Sequence, residues 1–154
     1  MDEFFMQQAI KEAKKAYELN EVPIGAIVSK EGRIIGTGYN RSINDSDPSG
    51  HAEIIALRDA GKKIGNYRLV NCNLYVTLEP CIMCLGAIFH ARIKNLYFGA
   101  YDNKTGSCGG HINLLNNKNL NHHCKLHAGL LESEAVQILK EFFSKKREKK
   151  AANE

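Results

Sequence analysis

The sequence lacks the features that would direct a protein into or across a membrane. It has no apolar run of the roughly 18 residues that mark a transmembrane helix. Its first five residues, MDEFF, do not show the basic region, apolar stretch and small-residue cleavage site of a signal peptide. We therefore expect a cytoplasmic protein. Internal repeats and a dividing linker are also missing, and 154 residues, 44% of them hydrophobic, suit a single domain over residues 1–154.

The sequence also lacks an even number of cysteines, which complete pairing into disulfides would require. The five cysteines cannot all pair within one chain, and a reducing cytosol disfavours disulfides. Cys72 and Cys124 lie in apolar or mixed surroundings, which are typical of small buried side chains. The sequence leaves the roles of Cys108 and the nearby His111 open.

The hydrophobic pattern alternates between helical and extended spacing along the chain. Such alternation predicts an α/β domain in which helices cover a central sheet. Lys-Glu-Gly at 30–32 predicts a hairpin turn, and glycines at 25, 36 and 38 indicate a close backbone approach or a bulge. A helical turn is expected over 112–115. The predicted helices span 3–19, 51–61, 81–89 and 131–150, and the predicted strands span 24–29, 33–39, 73–78, 95–99 and 124–126.

Two short segments combine the residue types of a zinc site. The first is His-Ala-Glu at 51–53, and the second is Pro-Cys-Ile-Met-Cys at 80–84. Both are expected to start a helix, and the two cysteines are three residues apart, so their side chains share one face of the first turn. Zinc prefers imidazole and thiolate ligands, and catalytic zinc sites leave the fourth position to water. The predicted metal ligands are His51, Cys81 and Cys84, and the predicted base is Glu53.

Each part of this pattern also has a simpler interpretation. A lone Cys-x-x-Cys could be a redox pair, half of a zinc ribbon or two buried side chains. A lone Glu53 could be an exposed carboxylate stabilised by a helix N-terminus. The combination, with histidine and proline at matching positions, favours the metal site. A second group of candidate ligands is not expected to converge, because side chains alternate along a strand; it comprises His122, His123, Cys124 and His127.

The order H-x-E followed by P-C-x-x-C is the pattern of zinc-dependent nucleobase deaminases. Over nearly its whole length the chain resembles the bacterial tRNA adenosine deaminases of the cytidine deaminase superfamily. It departs from them in residues 107–111, in the histidine-rich stretch near His122, and at Gly50 before the predicted histidine ligand. The segments that carry the resemblance are 21–26, 38–41, 47–48, 51–53, 66–69, 74–81, 98–100 and 102–106.

The resemblance implies a fold, an assembly and a reaction. The fold is a three-layer α/β/α cytidine-deaminase-like domain with a central mixed five-stranded sheet. The assembly is a homodimer with one zinc ion per subunit. The reaction converts adenosine to inosine at the wobble position (34) of a tRNA anticodon, typically of an arginine tRNA. In the implied mechanism, water activated at the zinc attacks C6 of the purine, Glu53 protonates N1, and ammonia leaves.

The resemblance further implies which residues contact the RNA. Asn40 matches a residue that hydrogen-bonds the base, although a loop asparagine often only closes a turn. Asp102 and Lys104 match a loop beside the RNA, which could equally be a solvated loop. Phe143 and Arg147 match a last helix that approaches the anticodon loop. Phe143 could instead belong to the core, and the basic residues around it could complement the helix dipole rather than neutralise phosphates.

Two other functions fit parts of the sequence. The shared motif is compatible with a deaminase of free cytosine, guanine or nucleosides. The histidine and cysteine residues are compatible with a zinc-stabilised RNA-binding module without catalysis. The formal net charge of +4 permits an anionic partner such as RNA but does not require one. The basic last helix and residues 102–106 favour RNA, and Glu53 favours catalysis.

Overall fold

A computed structural model describes residues 1–153 of the chain. Helices and strands follow one another in the order that the hydrophobic periodicity predicted, and no helix among these residues is both long and apolar enough to cross a membrane. The helices are α1 (Asp2–Glu18), α2 (Ala52–Ile64), α3 (Ile82–Ala91) and α4 (Glu132–Asn153). The strands are β1 (Gly25–Lys30), β2 (Arg33–Tyr39), β3 (Asn73–Leu78), β4 (Asn95–Ala100) and β5 (Lys125–Ala128).

The strands form one mixed sheet in the order β2-β1-β3-β4-β5. β1 is antiparallel to both β2 and β3, whereas β3, β4 and β5 are parallel to one another. β2 therefore runs in the same direction as β3 and β4, and all three end at one edge of the sheet. The predicted hairpin between β1 and β2 is confirmed, because Glu31 and Gly32 adopt the positive φ values, 52° and 77°, of a two-residue hairpin turn.

Helices cover both faces of this sheet. On one face, apolar side chains of β1, β3 and β4 pack against Leu57 of α2 and Leu85 of α3 in the larger hydrophobic core. On the other face, Phe5 and Met6 of α1 pack against Tyr75 of β3, and α4 lies against β4 beside α1. The predicted three-layer α/β/α arrangement around a mixed five-stranded sheet is confirmed.

Two glycines of β2 allow α2 to lie very close to the sheet. A Cβ atom at Gly36 would come within 2.5 Å of the Ala56 carbonyl oxygen, and one at Gly38 would come equally close to that of Ala52. A larger residue at either position would push the start of α2 away from the strand. The close backbone approach predicted for these glycines is confirmed, and it fixes the beginning of α2 at the edge where β2 ends.

One local prediction was wrong. The described residues 112–115 do not form a helical turn: Asn113 makes an isolated bridge to Cys108, and the Leu114 N–H donates to the Ser107 carbonyl at 2.9 Å. This stretch is held by the loop before it rather than by bonds within a helix. The bounds of the other elements differ from the predicted ones by at most three residues, because capping geometry decides where a helix begins and ends.

Candidate metal centre

The two predicted metal-binding segments meet at the edge where β2, β3 and β4 end. His51 is the N-cap of α2 and Cys81 is the N-cap of α3, both with extended backbone. Cys84 is buried in the first turn of α3. A helix start carries partial positive charge, which favours a thiolate over a thiol. The common direction of the strands thus brings together side chains that are at least 30 positions apart in sequence.

The three predicted ligands lie at distances that fit one metal ion. His51 Nδ1 is 3.6 Å from Cys81 Sγ and 3.4 Å from Cys84 Sγ, and the three ligand atoms all lie within 4.8 Å of one another. Tetrahedral coordination with a Zn–S bond of about 2.3 Å and a Zn–N bond of about 2.05 Å separates nitrogen from sulfur by about 3.6 Å. Both nitrogen–sulfur distances therefore already fit a tetrahedral metal.

The two thiols differ in acidity. Two hydrogen bonds lower the pKa of Cys81 to about 4: the larger effect comes from the Cys84 thiol and the smaller from His51. The same bond between the sulfurs, together with burial, raises the pKa of Cys84. Contact with Cys81 also raises the pKa of His51. The donor set by itself readily holds one thiolate, and the charge of a bound dication would favour the second.

Glu53 is not the exposed helix-terminal carboxylate that the sequence alone allowed. It lies in the first turn of α2 and is only 4% exposed. Burial raises the pKa of Glu53 to about 7, against opposing contributions from its own backbone N–H and from His51. A carboxyl group with such a pKa can accept and return a proton near neutral pH.

Asn40 is tied to the start of α2. It is 8% exposed, and its Oδ1 accepts the N–H of Ala52 at 2.8 Å. Because a backbone N–H can only donate, this bond fixes the orientation of the amide and turns Nδ2 away from the helix. Within residues 1–153 the Nδ2 group has no hydrogen-bond acceptor and is not sealed from solvent. Asn40 therefore keeps a free donor beside the start of α2, where the candidate metal ligand His51 lies.

Asp102 acts within its own turn. Its Oδ1 accepts the N–H of Lys104 at 2.9 Å and that of Thr105 at 3.2 Å, and its Oδ2 accepts the Thr105 hydroxyl at 2.9 Å. The carboxylate thereby shapes the turn that follows β4 and presents the exposed Lys104. Contact of Asp102 itself with RNA stays a prediction.

Three of the residues predicted to contact RNA lie together. Lys104, Phe143 and Arg147 line one cavity of about 450 Å³ between the turn after β4 and α4. Phe143 is 41% exposed, so it does not belong to the core. Tyr101, which is 49% exposed, and Lys140 line the same cavity and were not predicted. The sequence contained a signal for Lys140, which precedes Phe143 and Arg147 at helical spacing on one face of α4.

Two buried glutamates that anchor loops were also missed. Glu79 is 3% exposed and accepts three backbone N–H groups from the loop after β4. Glu21 is 2% exposed and accepts the N–H groups of Ile43 and Asn44 and the side-chain amide of Asn44. Neither had a recognisable partner in the sequence, because the groups that they bind are more than 20 residues away and are mostly backbone.

The second group of candidate ligands does not converge, as predicted. His122 Nε2 lies 2.7 Å from the Ile93 carbonyl oxygen, whereas His127 stacks on Tyr97 and its Nε2 lies 3.2 Å from Asn95 Oδ1. Among the residues that the structure describes, only the trio of His51 and the Cys-x-x-Cys pair meets the distances of a metal site.

An apolar groove lies between α2 and α3 beside the metal centre. Its volume is about 980 Å³. Ile82 and Met83, which separate the two cysteine ligands, line it and are 61% and 37% exposed. Ile54 and Leu57 contribute to the wall formed by α2. A groove lined by exposed apolar side chains is a candidate interaction site.

Comparisons with known proteins agree with the fold and the motif. A family model of MafB19-like deaminases matches residues 1–147. A tRNA-specific adenosine deaminase of Haemophilus influenzae is 51% identical over 150 residues, which cover 97% of this chain and 87% of the relative. A structure solved in studies of A-to-I editing by tRNA:A34 deaminases is 43% identical, with a TM-score of 0.86 over 88% of this chain and 99% of the other. A guanine deaminase of Bacillus subtilis is 40% identical, with a TM-score of 0.62 over 64% of each chain. The expected cytidine-deaminase-like fold is confirmed.

If the trio binds a metal ion, replacing one of its cysteines should lower the metal content. Cys84→Ala should lower the bound metal from about one equivalent per chain to well below half, because one of three protein ligands is lost. Elemental analysis after dialysis against a weak chelator measures this. The matched control is Cys72→Ala, which removes another fully buried thiol outside the trio and should leave the metal content unchanged. Equal metal content in the two variants would contradict the assignment.

Proposed function

This chain belongs to the family described by the MafB19-like deaminase model and to the tRNA-specific adenosine deaminases, and we propose that it deaminates adenosine 34 of a tRNA anticodon to inosine. The observation that carries the proposal is a histidine and two cysteines at metal-binding distances beside the buried Glu53. In the proposed reaction the C6–N bond of adenine is hydrolysed, a carbonyl forms at C6, and ammonia is released. The cytoplasm is its proposed location, because the substrate is a tRNA.

The metal that we propose for the centre is zinc, one ion per subunit. Two sulfurs and an imidazole form a donor set that suits zinc, and three protein ligands are the number found in catalytic zinc sites. Bound there, zinc would supply the Lewis acidity that makes a water molecule nucleophilic at neutral pH. His51, Cys81 and Cys84 would hold it.

Glu53 is the proposed proton carrier. It takes a proton from the attacking water and delivers it to N1 of the adenine, and a further transfer to the exocyclic nitrogen lets ammonia leave. The burial that raises the pKa of Glu53 to about 7 supports this role, because the group must both accept and give up a proton. Its place two residues after the ligand His51, in the first turn of α2, puts it beside the metal site.

The proposed RNA contacts come from the loop before α2, the turn after β4 and α4. Asn40 would donate from its free Nδ2 to an acceptor of the target base. Lys104 and Arg147 would neutralise phosphates, and Phe143 would stack on an unpaired base. Asp102 would contribute by holding the turn that presents Lys104. An anticodon loop suits such a site, because its bases are unpaired and can be extruded at low cost; an arginine tRNA is the substrate that we propose.

A second copy of this chain is the proposed occupant of the groove between α2 and α3. The groove is apolar, exposed and continuous with the segment that carries both cysteine ligands, so a homodimer would also shield the metal centres. In a two-fold dimer this surface would pack against the same surface of the second copy.

The substrate proposal predicts a clear preference between RNA and free bases. An anticodon stem-loop with adenosine at position 34 should be converted to inosine, which sequencing reads as guanosine, whereas free adenosine, cytidine and guanine should react poorly or not at all. Guanine is the most informative alternative substrate, because a guanine deaminase is similar to this chain over 64% of its length. Turnover of free guanine or nucleosides without turnover of RNA would replace the proposed function by its alternative.

The role of Glu53 predicts a loss of rate without a loss of metal. Glu53→Ala should retain the fold and the bound metal but lower the deamination rate by a factor of about 10²–10⁴ or more, because proton transfer loses its carrier. Single-turnover assays on the stem-loop, paired with elemental analysis of the same sample, test this. An unchanged rate in a variant that holds metal would remove Glu53 from the mechanism.

The dimer proposal predicts a mass. The wild-type chain should elute with about twice its 17.2 kDa in size-exclusion chromatography with light scattering. Ala87→Glu, which places a charge in the groove, should shift the mass to that of one chain. Ser133→Glu adds the same charge at an exposed position on α4 and should not. A wild-type mass of 17.2 kDa would refute the dimer.

A further inference from the structure

Glu79 is a buried carboxylate whose role the catalytic motif does not explain. It lies between the end of β3 and the ligand Cys81 and is 3% exposed. Its Oε1 accepts the N–H of Asp102 at 2.9 Å. Its Oε2 accepts the N–H groups of Cys108 at 2.8 Å and Gly110 at 2.9 Å. One side chain therefore holds both ends of the loop at 102–110.

The loop is shaped around this carboxylate. A Cβ atom on Gly106 or on Gly110 would collide with the carboxylate group of Glu79, so both positions require a residue without a side chain. The Ser107 N–H and hydroxyl both donate to the Pro80 carbonyl, at 3.0 and 2.8 Å. The loop thus wraps closely around the two residues that precede Cys81.

Backbone N–H groups compensate the buried charge of Glu79. Burial of an ionised carboxylate is costly unless hydrogen bonds or an opposite charge replace its hydration. The ion pairs formed by residues 1–153 do not include Glu79, so its oxygens depend on the loop. The backbone of Glu79 adds a further link, because its N–H donates to the carbonyl of Ala100 at the end of β4. The carboxylate and the loop therefore stabilise each other.

We propose that Glu79 is a positioning residue that fixes the loop at 102–110, and with it Lys104, relative to the metal centre. Cys81 is only two residues after Glu79. Any movement of the Glu79 carboxylate would therefore shift the loop at 102–110 relative to the proposed metal ligands. The consequence for RNA binding rests on the proposed function, whereas the effect on the loop does not. Glu79 itself belongs neither to the candidate metal-binding trio nor to the lining of the cavity that contains Lys104.

Glu79→Gln should release one end of the loop and leave the other attached. A glutamine has one carbonyl oxygen, which can keep the two N–H groups of Cys108 and Gly110. Its NH₂ group would then face the N–H of Asp102, donor against donor. Amide hydrogen exchange followed by NMR should therefore become at least about tenfold faster at Asp102 and change much less at the other two amides. Metal content should be unchanged.

The kinetic readout should separate positioning from chemistry. KM for the anticodon stem-loop should rise about five- to tenfold in Glu79→Gln, with a much smaller change in kcat, because Lys104 is displaced while Glu53 and the metal ligands are not. Glu21→Gln is the matched control: it weakens another buried carboxylate that accepts three donors, and should speed exchange at Ile43 and Asn44 but not at Asp102.

Several outcomes would overturn the proposal. Unchanged amide exchange at Asp102 in Glu79→Gln would do so. A loss of bound metal accompanied by a proportional fall in kcat would also overturn it, because that result indicates a purely structural role. If the variant does not fold, the wild type still decides, because fast exchange at Asp102, Cys108 and Gly110 would show that the carboxylate does not hold them. If the wild type does not deaminate RNA, the proposed function fails, and the exchange experiment still reports on Glu79.

Discussion

The common direction of β2, β3 and β4 is the constraint on which the site depends. Because β1 is antiparallel to both of its neighbours, three strands deliver their following segments to one edge of the sheet. α2 brings His51 and Glu53, α3 brings the two cysteines, and the turn after β4 brings Lys104. The candidate metal ligands and Glu53 thus meet at one edge of the sheet, next to the turn that carries Lys104, although they come from separate parts of the sequence.

The buried acids around this edge are stabilised in different ways, and the difference fits their roles. Glu21 and Glu79 each accept three N–H donors, which suits anions that hold loops in place. At Glu53 burial outweighs the favourable contacts and raises the pKa to about 7. The protein therefore uses two carboxylates to fix its loops and leaves one in a setting where it can carry a proton.

The sequence predicted the parts of the structure that follow a regular spacing. The hairpin, the helical starts at 51 and 81 and the pair of cysteines three residues apart obey local rules, and the structure has them. The role of Glu79 could not be predicted, because its partners are backbone N–H groups 23 to 31 residues away in an irregular loop. The wrong helical turn at 112–115 has the same origin, since its bonds go to the loop at 107–108. Lys140 shows the opposite case, a residue whose helical spacing was visible but not used.

X-ray absorption of the metal-loaded protein tests the central claim most directly. A metal held by His51, Cys81 and Cys84 should show two sulfur scatterers at about 2.3 Å, an imidazole nitrogen at about 2.0 Å and one further light scatterer from solvent. The spectrum should not change in Glu53→Gln, because that carboxylate is not a ligand. Three or four sulfur scatterers, or a spectrum altered by the loss of the Glu53 carboxylate, would contradict a three-ligand centre with a position open to water.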